Sequence, residues 1–235
     1  MSRARSLVVA VCTFAALALL ASSAAFARHQ RAVVLTGGPG VGKTTIAKAL
    51  AKRGYLIVPE AARLVIKSEQ DKAARRGKRY LPKLPVVNWL PFQERVLNVH
   101  KVIEKRARRQ AAKTGQTLVF DRSAADGLPF LVQSGHSPKK HYDLFKRHLQ
   151  HLKNARYDTI LLLEPLDRSQ YVNDAQRRET AQESQVLQSR LHDLYTRTAK
   201  RYGFKVISVP ALPVDQRVDL VIDLIEKSKP NRRSK

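Results

Sequence analysis

The chain has 235 residues, 43% hydrophobic and 27% charged, a balance that excludes a disordered or fibrous chain and supports one well-cored domain, with or without a lid. Against 19 acidic residues stand 44 lysines and arginines, a formal charge of +25. Such a surface attracts phosphates, nucleic acid and anionic lipid, but no nucleic-acid reader motif accompanies it, so specific nucleic-acid binding is not expected.

The N-terminus is apolar. Arg3 and Arg5 precede an apolar run from Leu7 to Ala21, and Ala25-Phe26-Ala27 forms a small-x-small end. This is the grammar of a secretory signal cleaved after Ala27. The stretch 6–27 is also long enough to cross a bilayer of about 30 Å as an uncleaved anchor. Arg28, His29 and Arg31 follow at once, and positive charge tends to stay on the cytoplasmic side. A misassigned start codon is a third reading. Cys12, the only cysteine, lies in this segment, so the rest of the chain can form no disulfide or thiolate metal site. The expected organisation is 1–27 as signal or anchor, 28–228 as the folded domain, and 229–235 as a basic tail.

In chain order, "RAVVLT" (31–36) reads as a buried strand, followed by a glycine-rich turn and the helical "KTTIAKALAKR". "YLIVPE" (55–60) is a second strand leading into another helix. Residues 75–91, with three prolines, read as a loop or broken region. Beyond it Trp89, Phe92, Val96, Val99 and Ile103 recur at steps of three and four along one face of a long helix. "TLVFD" (117–121) is a third strand, and helices are expected near 124–134 and 138–153. "DTILLLE" (158–164) and "FKVISV" (204–209) complete five strands. Between those two lie a polar, charged stretch and a helix with Leu187, Leu191, Leu194 and Thr198 on one face. Strands alternating with helices predict an α/β fold: a mostly parallel five-stranded sheet covered on both sides.

The chemistry starts at Gly37-x-x-x-x-Gly42-Lys43-Thr44, with a strand before it and a helix after it, as a phosphate-binding P-loop requires. Gly37, Gly38, Pro39, Gly40, Val41 and Gly42 would turn backbone N–H groups around the phosphates, and the helix N-terminus adds partial positive charge. Lys43 would reach the β and γ phosphates, Thr44 would offer a hydroxyl to Mg²⁺, and Thr45 begins the helix behind it. ATP is expected as the nucleotide, because no Asn-Lys-x-Asp signature for guanine is present. Asp121, at the C-terminal end of a strand, would face the nucleotide crevice and hold Mg²⁺ or accept a proton; it also fits an N-cap. Glu60 ends the second strand and stands where it could take a proton from an acceptor hydroxyl, with Arg63 one turn on to grip that acceptor; a surface Glu–Arg pair has the same spacing. Gln93 could hydrogen-bond a base or amide, or sit on a rim. In "YVNDAQRRE", Asp174, Arg177 and Arg178 share one helical turn, as a lid over residues 166–182 would need; a solvated charged helix fits equally. The histidines show no metal-ligand spacing with cysteine, and His148 and His151 are expected at the surface.

Taken together, "LTGGPGVGKTT", "VPEAAR", the Gln in "PFQERV", "VFDRS" with Asp126, "YVNDAQRRE" and "YGFKVISVP" ahead of "VDQRVDLVIDLI" resemble the NadR-like AAA-domain P-loop proteins, a group that includes nicotinamide riboside kinase domains and TRPL translocation defect proteins. The likeness runs from about residue 31 to 226. A more distant similarity is to deoxynucleoside kinases. The resemblance implies Glu60 as catalytic base, Asp121 and Arg122 as Mg²⁺ and phosphate residues, Asp126 among the substrate-binding residues, and Arg177 and Arg178 as a lid. No AAA+ helical domain or arginine-finger signature accompanies it.

Three functions remain open on sequence alone. One is phosphotransfer from ATP, with Mg²⁺, to a small nucleoside-like acceptor. The second is a regulatory ATPase or GTPase that binds a protein or anionic lipid. The third is a secreted anion-binding protein in which the loop is a relic.

Overall fold

The computed structural model describes residues 30–78, 89–166 and 180–228. The expected N-terminal signal or anchor, the core of the lid with Asp174, Arg177 and Arg178, and the basic tail lie outside these residues. Among the described residues no helix is long and apolar enough to cross a membrane.

Five strands, β1 (Ala32–Thr36), β2 (Leu56–Val58), β3 (Leu118–Asp121), β4 (Thr159–Leu163) and β5 (Lys205–Val209), form one parallel sheet in the order β2-β3-β1-β4-β5. Seven helices accompany them among the described residues: α1 (Lys43–Lys52), α2 (Ala61–Arg75), α3 (Trp89–Thr114), α4 (Gly127–Gln133), α5 (Tyr142–Asn154), α6 (Ala181–Tyr202) and α7 (Val214–Lys227). A 3₁₀ turn at Ala124–Asp126 leads into α4. The expected α/β class and five parallel strands are therefore present, with strand ends within a residue or two of those read from the sequence.

The sheet is buried on both faces, and strand alternation sorts its side chains. Ala32 and Val34, Leu118 and Phe120, and Ile160 and Leu162 pack with Leu152, Tyr157, Leu191 and Tyr195. Val33 and Leu35, Val119, and Leu161 and Leu163 point the other way, onto Ile46 and Leu50 of α1 and Val218, Val221 and Ile225 of α7. Because side chains alternate with a period of two and both faces are covered, the three central strands read as near-continuous apolar runs, with Thr36, Asp121 and Thr159 at their ends. On the stripe read on α3, Phe92 and Val96 are buried against Ala61 and Val65 of α2, and Trp89, Val99 and Ile103 are partly buried beside them.

This layering decides where a site can lie. In a parallel sheet every strand ends on the same edge, and a crevice opens where crossovers diverge to either side. Here β1 sits between β3 and β4. The P-loop leaves β1, Arg122 leaves β3 and Glu60 leaves β2, so all three reach the same edge.

Candidate active site

Three glycines give the loop after β1 its shape. Gly37, Gly40 and Gly42 take φ values of +138°, +83° and +84°, which side-chain-bearing residues rarely adopt. At Gly37 there is also no room, since a Cβ would come within 2.6 Å of the Leu163 carbonyl oxygen. Gly42 caps α1, whose first residue is Lys43. The Lys43 amine is buried and donates to the carbonyls of Gly37 (3.0 Å) and Gly38 (2.7 Å). Thr44 is half-buried at the cavity wall, whereas Thr45 is exposed.

Distant side chains fasten this loop from outside. Ser184 of α6 donates to the Pro39 carbonyl (2.8 Å). Gln188 accepts from the Gly38 N–H (2.6 Å) and donates to the Leu163 carbonyl (3.1 Å). Arg217, buried in the first turn of α7, donates to the carbonyls of Val41 (2.8 Å), Glu164 (2.7 Å) and Val209 (3.1 Å), tying the loop to the ends of β4 and β5. Helix α6 itself starts on a capping box: Thr180 Oγ1 accepts from the Glu183 N–H (3.2 Å), and the Glu183 carboxylate accepts from the Thr180 N–H (2.7 Å).

Facing the loop is a charged cluster centred on Arg122. Its backbone is left-handed, φ +70°, a conformation that costs a non-glycine residue about 1–3 kcal/mol. The turn aims the guanidinium inward. There Nη1 donates to the Gly37 carbonyl (3.0 Å) and to Asp126 Oδ2 (3.2 Å), Nε stands 3.3 Å from Glu60 Oε1, and the group lies over the Phe130 ring. Burial works against this charge, but Glu60, Asp126 and Asp121 outweigh it and hold the pKa above its ordinary value. Glu60 is the residue immediately before α2, and its other oxygen accepts from Arg63 Nε (3.2 Å). Asp121 is buried, and its Oδ1 has no hydrogen-bond partner among the described residues. Burial and the nearby Glu60 raise its pKa to about 6, against the pull of Lys43 and Arg122. It does not cap a helix; Ser123 caps the 3₁₀ turn instead.

Asp126 is buried and fully engaged by the chain itself. Oδ2 accepts from Thr36 Oγ1 (2.6 Å) and Arg122, and Oδ1 accepts from the Ser123 N–H (3.2 Å), the Ser123 hydroxyl (3.3 Å) and the Tyr195 hydroxyl. With both oxygens committed, its geometry is that of a residue that positions Arg122 and the strand ends around it.

The loop and the cluster open onto one cavity of about 500 Å³. Lys43, Thr44, Glu60, Arg63 and Arg122 line it together with Trp89, Phe92, Gln93, Val96 and Phe130. Trp89 stacks on Phe130 with centroids 6.2 Å apart and meets Phe92 edge-on at 6.0 Å. Gln93 is buried, and its Oε1 has no hydrogen-bond partner among the described residues. It fits only because residue 127 is glycine, where a Cβ would fall 2.1 Å from that oxygen. A cavity of this size, combining an aromatic wall with fixed charged and polar groups, suits a small organic ligand.

The structure thus gathers Lys43, Thr44, Glu60, Arg63, Gln93, Arg122 and Asp126 around one space, with Asp121 behind them. Trp89 and Phe92 belong to the helix face expected from the sequence, whereas Phe130, Ser184, Gln188, Tyr195 and Arg217 carry no such local signal. One expectation is corrected: His148 is completely buried, with Nδ1 2.7 Å from the Ala124 carbonyl, and the His151 side chain is only 11% exposed. Their helix turns Leu144, Phe145, His148 and Leu152 inward together.

Solved structures with the same fold are similar to this one. A NadR protein in complex with NAD and AMP-PNP matches with a TM-score of 0.61 at 17% identity, over 88% of this chain and 52% of that one. A NadR protein in complex with NR gives 0.56 at 18%, over 88% and 54%. The chain therefore spans about half the length of the NadR proteins it matches. Deoxyadenosine kinase from M. mycoides with bound dCTP gives 0.57 at 14% identity, over 83% of this chain and 98% of that one. No curated protein matches the chain in sequence. The family model that does match describes an AAA domain, AAA_28, and covers residues 32–217. The chain, with its five-stranded parallel sheet and P-loop, belongs to that AAA-domain family.

Proposed function

We propose that the protein transfers the γ-phosphoryl group of ATP to the hydroxyl of a small, nucleoside-like acceptor. The observation that carries this is the single cavity joining the P-loop lysine to a carboxylate and an aromatic slot. The P-loop backbone and Lys43 hold the phosphates. Trp89, Phe92 and Phe130 offer faces for a planar ring, and Gln93 Oε1 an acceptor for a ring N–H or amide. Glu60, on the wall of the same cavity and held by Arg63 and Arg122, would take the acceptor's proton. The AMP-PNP and NR in the NadR structures support the two ligand classes. The free, buried Asp121 Oδ1 and the half-buried Thr44 hydroxyl are oxygen donors of the type Mg²⁺ takes, and they would hold that ion, which neutralises phosphate charge when bound. Arg177 and Arg178 would close over the phosphates from the lid.

The test is ADP release by the full chain with ATP and Mg²⁺, alone and with a panel of nucleosides including nicotinamide riboside. One acceptor should raise turnover, and Lys43→Ala should abolish the rise. Turnover indifferent to every acceptor would replace this reading with a regulatory ATPase or GTPase.

Proton linkage gives a second check. Burial, with help from Arg122, lowers the pKa of Lys43 to about 7. A bound polyphosphate favours the charged amine and raises that value, so at pH 8 ATP binding should take up a proton. Affinity should then fall as pH rises above about 7, by up to about tenfold per pH unit. Calorimetry in buffers of different ionisation enthalpy would show uptake approaching one proton, absent in Lys43→Arg. No uptake in the parent protein would refute the assignment.

A further inference from the structure

We propose that His100, Glu104 and His151 form a binding site for a divalent transition-metal ion, zinc by the chemistry of its donors. The three residues converge from two helices. His100 and Glu104 lie one turn apart on α3, and His151 reaches across from α5. One donor atom from each lies within 4.8 Å of the others.

The spacing can be compared with what an ion requires. Donors held about 2.1 Å from a tetrahedral zinc are about 3.4 Å from one another. Glu104 Oε2 is 3.1 Å from His151 Nε2 and 3.8 Å from His100 Nε2, values on either side of that figure. The surroundings are closed, with His100 2% and Glu104 6% exposed. Glu104 uses its oxygens unequally. Oε1 accepts from Arg108 Nε at 2.8 Å, which fixes the carboxylate plane, while Oε2 makes no aligned hydrogen bond among the described residues despite the nearby imidazole. A carboxylate steadied on one oxygen and open on the other is how outer residues orient a metal ligand. The Tyr157 hydroxyl hydrogen-bonds His100 Nε2 at 3.2 Å; an ion would take that nitrogen's lone pair and leave the hydroxyl to hold a water as fourth ligand.

Two imidazoles and one carboxylate select zinc over magnesium or calcium, whose sites are built of oxygen. The Arg108 charge offsets that of Glu104, so affinity should be moderate. The role is structural. An ion here would staple α3 to α5 beside the cavity, whose wall includes His100, and next to the core ring Phe120, which stacks on that imidazole.

The test is calorimetric titration of chelator-stripped full chain with zinc, without nucleotide and in excess Mg²⁺, together with the visible absorption of the cobalt(II)-loaded protein. One zinc per chain and the intense absorption of tetrahedral cobalt are expected. Glu104→Gln and His151→Gln should each weaken binding at least about tenfold. His136 and His141 are the rival, a pair with ring nitrogens 3.3 Å apart, and His141→Gln should leave zinc binding intact. No saturable binding, a pale six-coordinate cobalt spectrum, or binding that His141→Gln removes and His151→Gln keeps would each overturn the proposal. If Glu104→Gln fails to fold, the parent's cobalt spectrum and His151→Gln decide.

Discussion

Asp126→Ala should destabilise the domain by about 3–5 kcal/mol, more than any other single change in the site, because it breaks a buried ion pair and several hydrogen bonds at once. The carboxylate receives donors from four residues spread along the chain: Thr36 at the end of β1, Arg122 and Ser123 after β3, and Tyr195 in α6. Alanine would leave those donors facing an apolar gap. Tyr195 is completely buried, its pKa pushed well above the ordinary value by burial and by Asp126, so it remains a hydroxyl in need of an acceptor. Arg122 would keep Glu60 and the Gly37 carbonyl but lose its shorter carboxylate contact. For a domain of this size the loss should lower the melting temperature by roughly 10 °C, readable by calorimetry or circular dichroism. Asp126→Asn keeps the shape but turns an amide toward a donor, and should fall between alanine and the parent. A melting temperature within about 2 °C of the parent for Asp126→Ala would show that the network contributes little.

That residue also marks where sequence reading reaches its range. The strands and the P-loop are legible because their signals are local: β-branched apolar runs, and glycines at fixed distances from a lysine. Glu60 and Asp121 are legible as positions, since each lies at the end of an apolar strand that a parallel sheet must bring to one edge, whereas Arg122 is implied by the family resemblance. Asp126 appears only as a member of a motif, because two of its partners, Thr36 and Tyr195, reach it only through tertiary packing. The aromatic wall is hidden for another reason. Trp89 and Phe92 recur at helical spacing, and the lining of an apolar cavity produces the same period as a core-facing stripe.

The residues that fasten the loop come from farther away. Gln188 meets Gly38 across 150 positions and Arg217 meets Val41 across 176, so no window of sequence contains either pair. Arg217 did leave a trace. It shares a helix face with Val218, Val221 and Ile225, and a cation on an apolar face needs a buried acceptor. His148 left the same trace on α5, between Phe145 and Leu152. A polar residue inside an apolar stripe therefore carried more information here than charge density did.

Glu60→Gln should reduce the acceptor-dependent kcat by about 10²–10³-fold while leaving the affinity for ATP nearly unchanged. Removal of a general base costs about 10²–10⁴-fold in general. Phosphoryl transfer belongs to the lower part of that range, because its transition state is loose and the acceptor's proton is still largely in place when the barrier is crossed. The substitution is close to isosteric, and Arg122 retains Asp126 and the Gly37 carbonyl, so the fold should persist. Lys43→Ala acts differently, removing the amine beside the loop carbonyls and with it the hold on phosphate. Steady-state kinetics with ATP and acceptor varied separately tells these apart. If Glu60→Gln raises only the acceptor KM, the carboxylate orients Arg63 and Arg122 and takes no proton. If kcat stays within about threefold of the parent, the cavity needs no base at Glu60, and positioning by the loop and the arginines must account for the reaction.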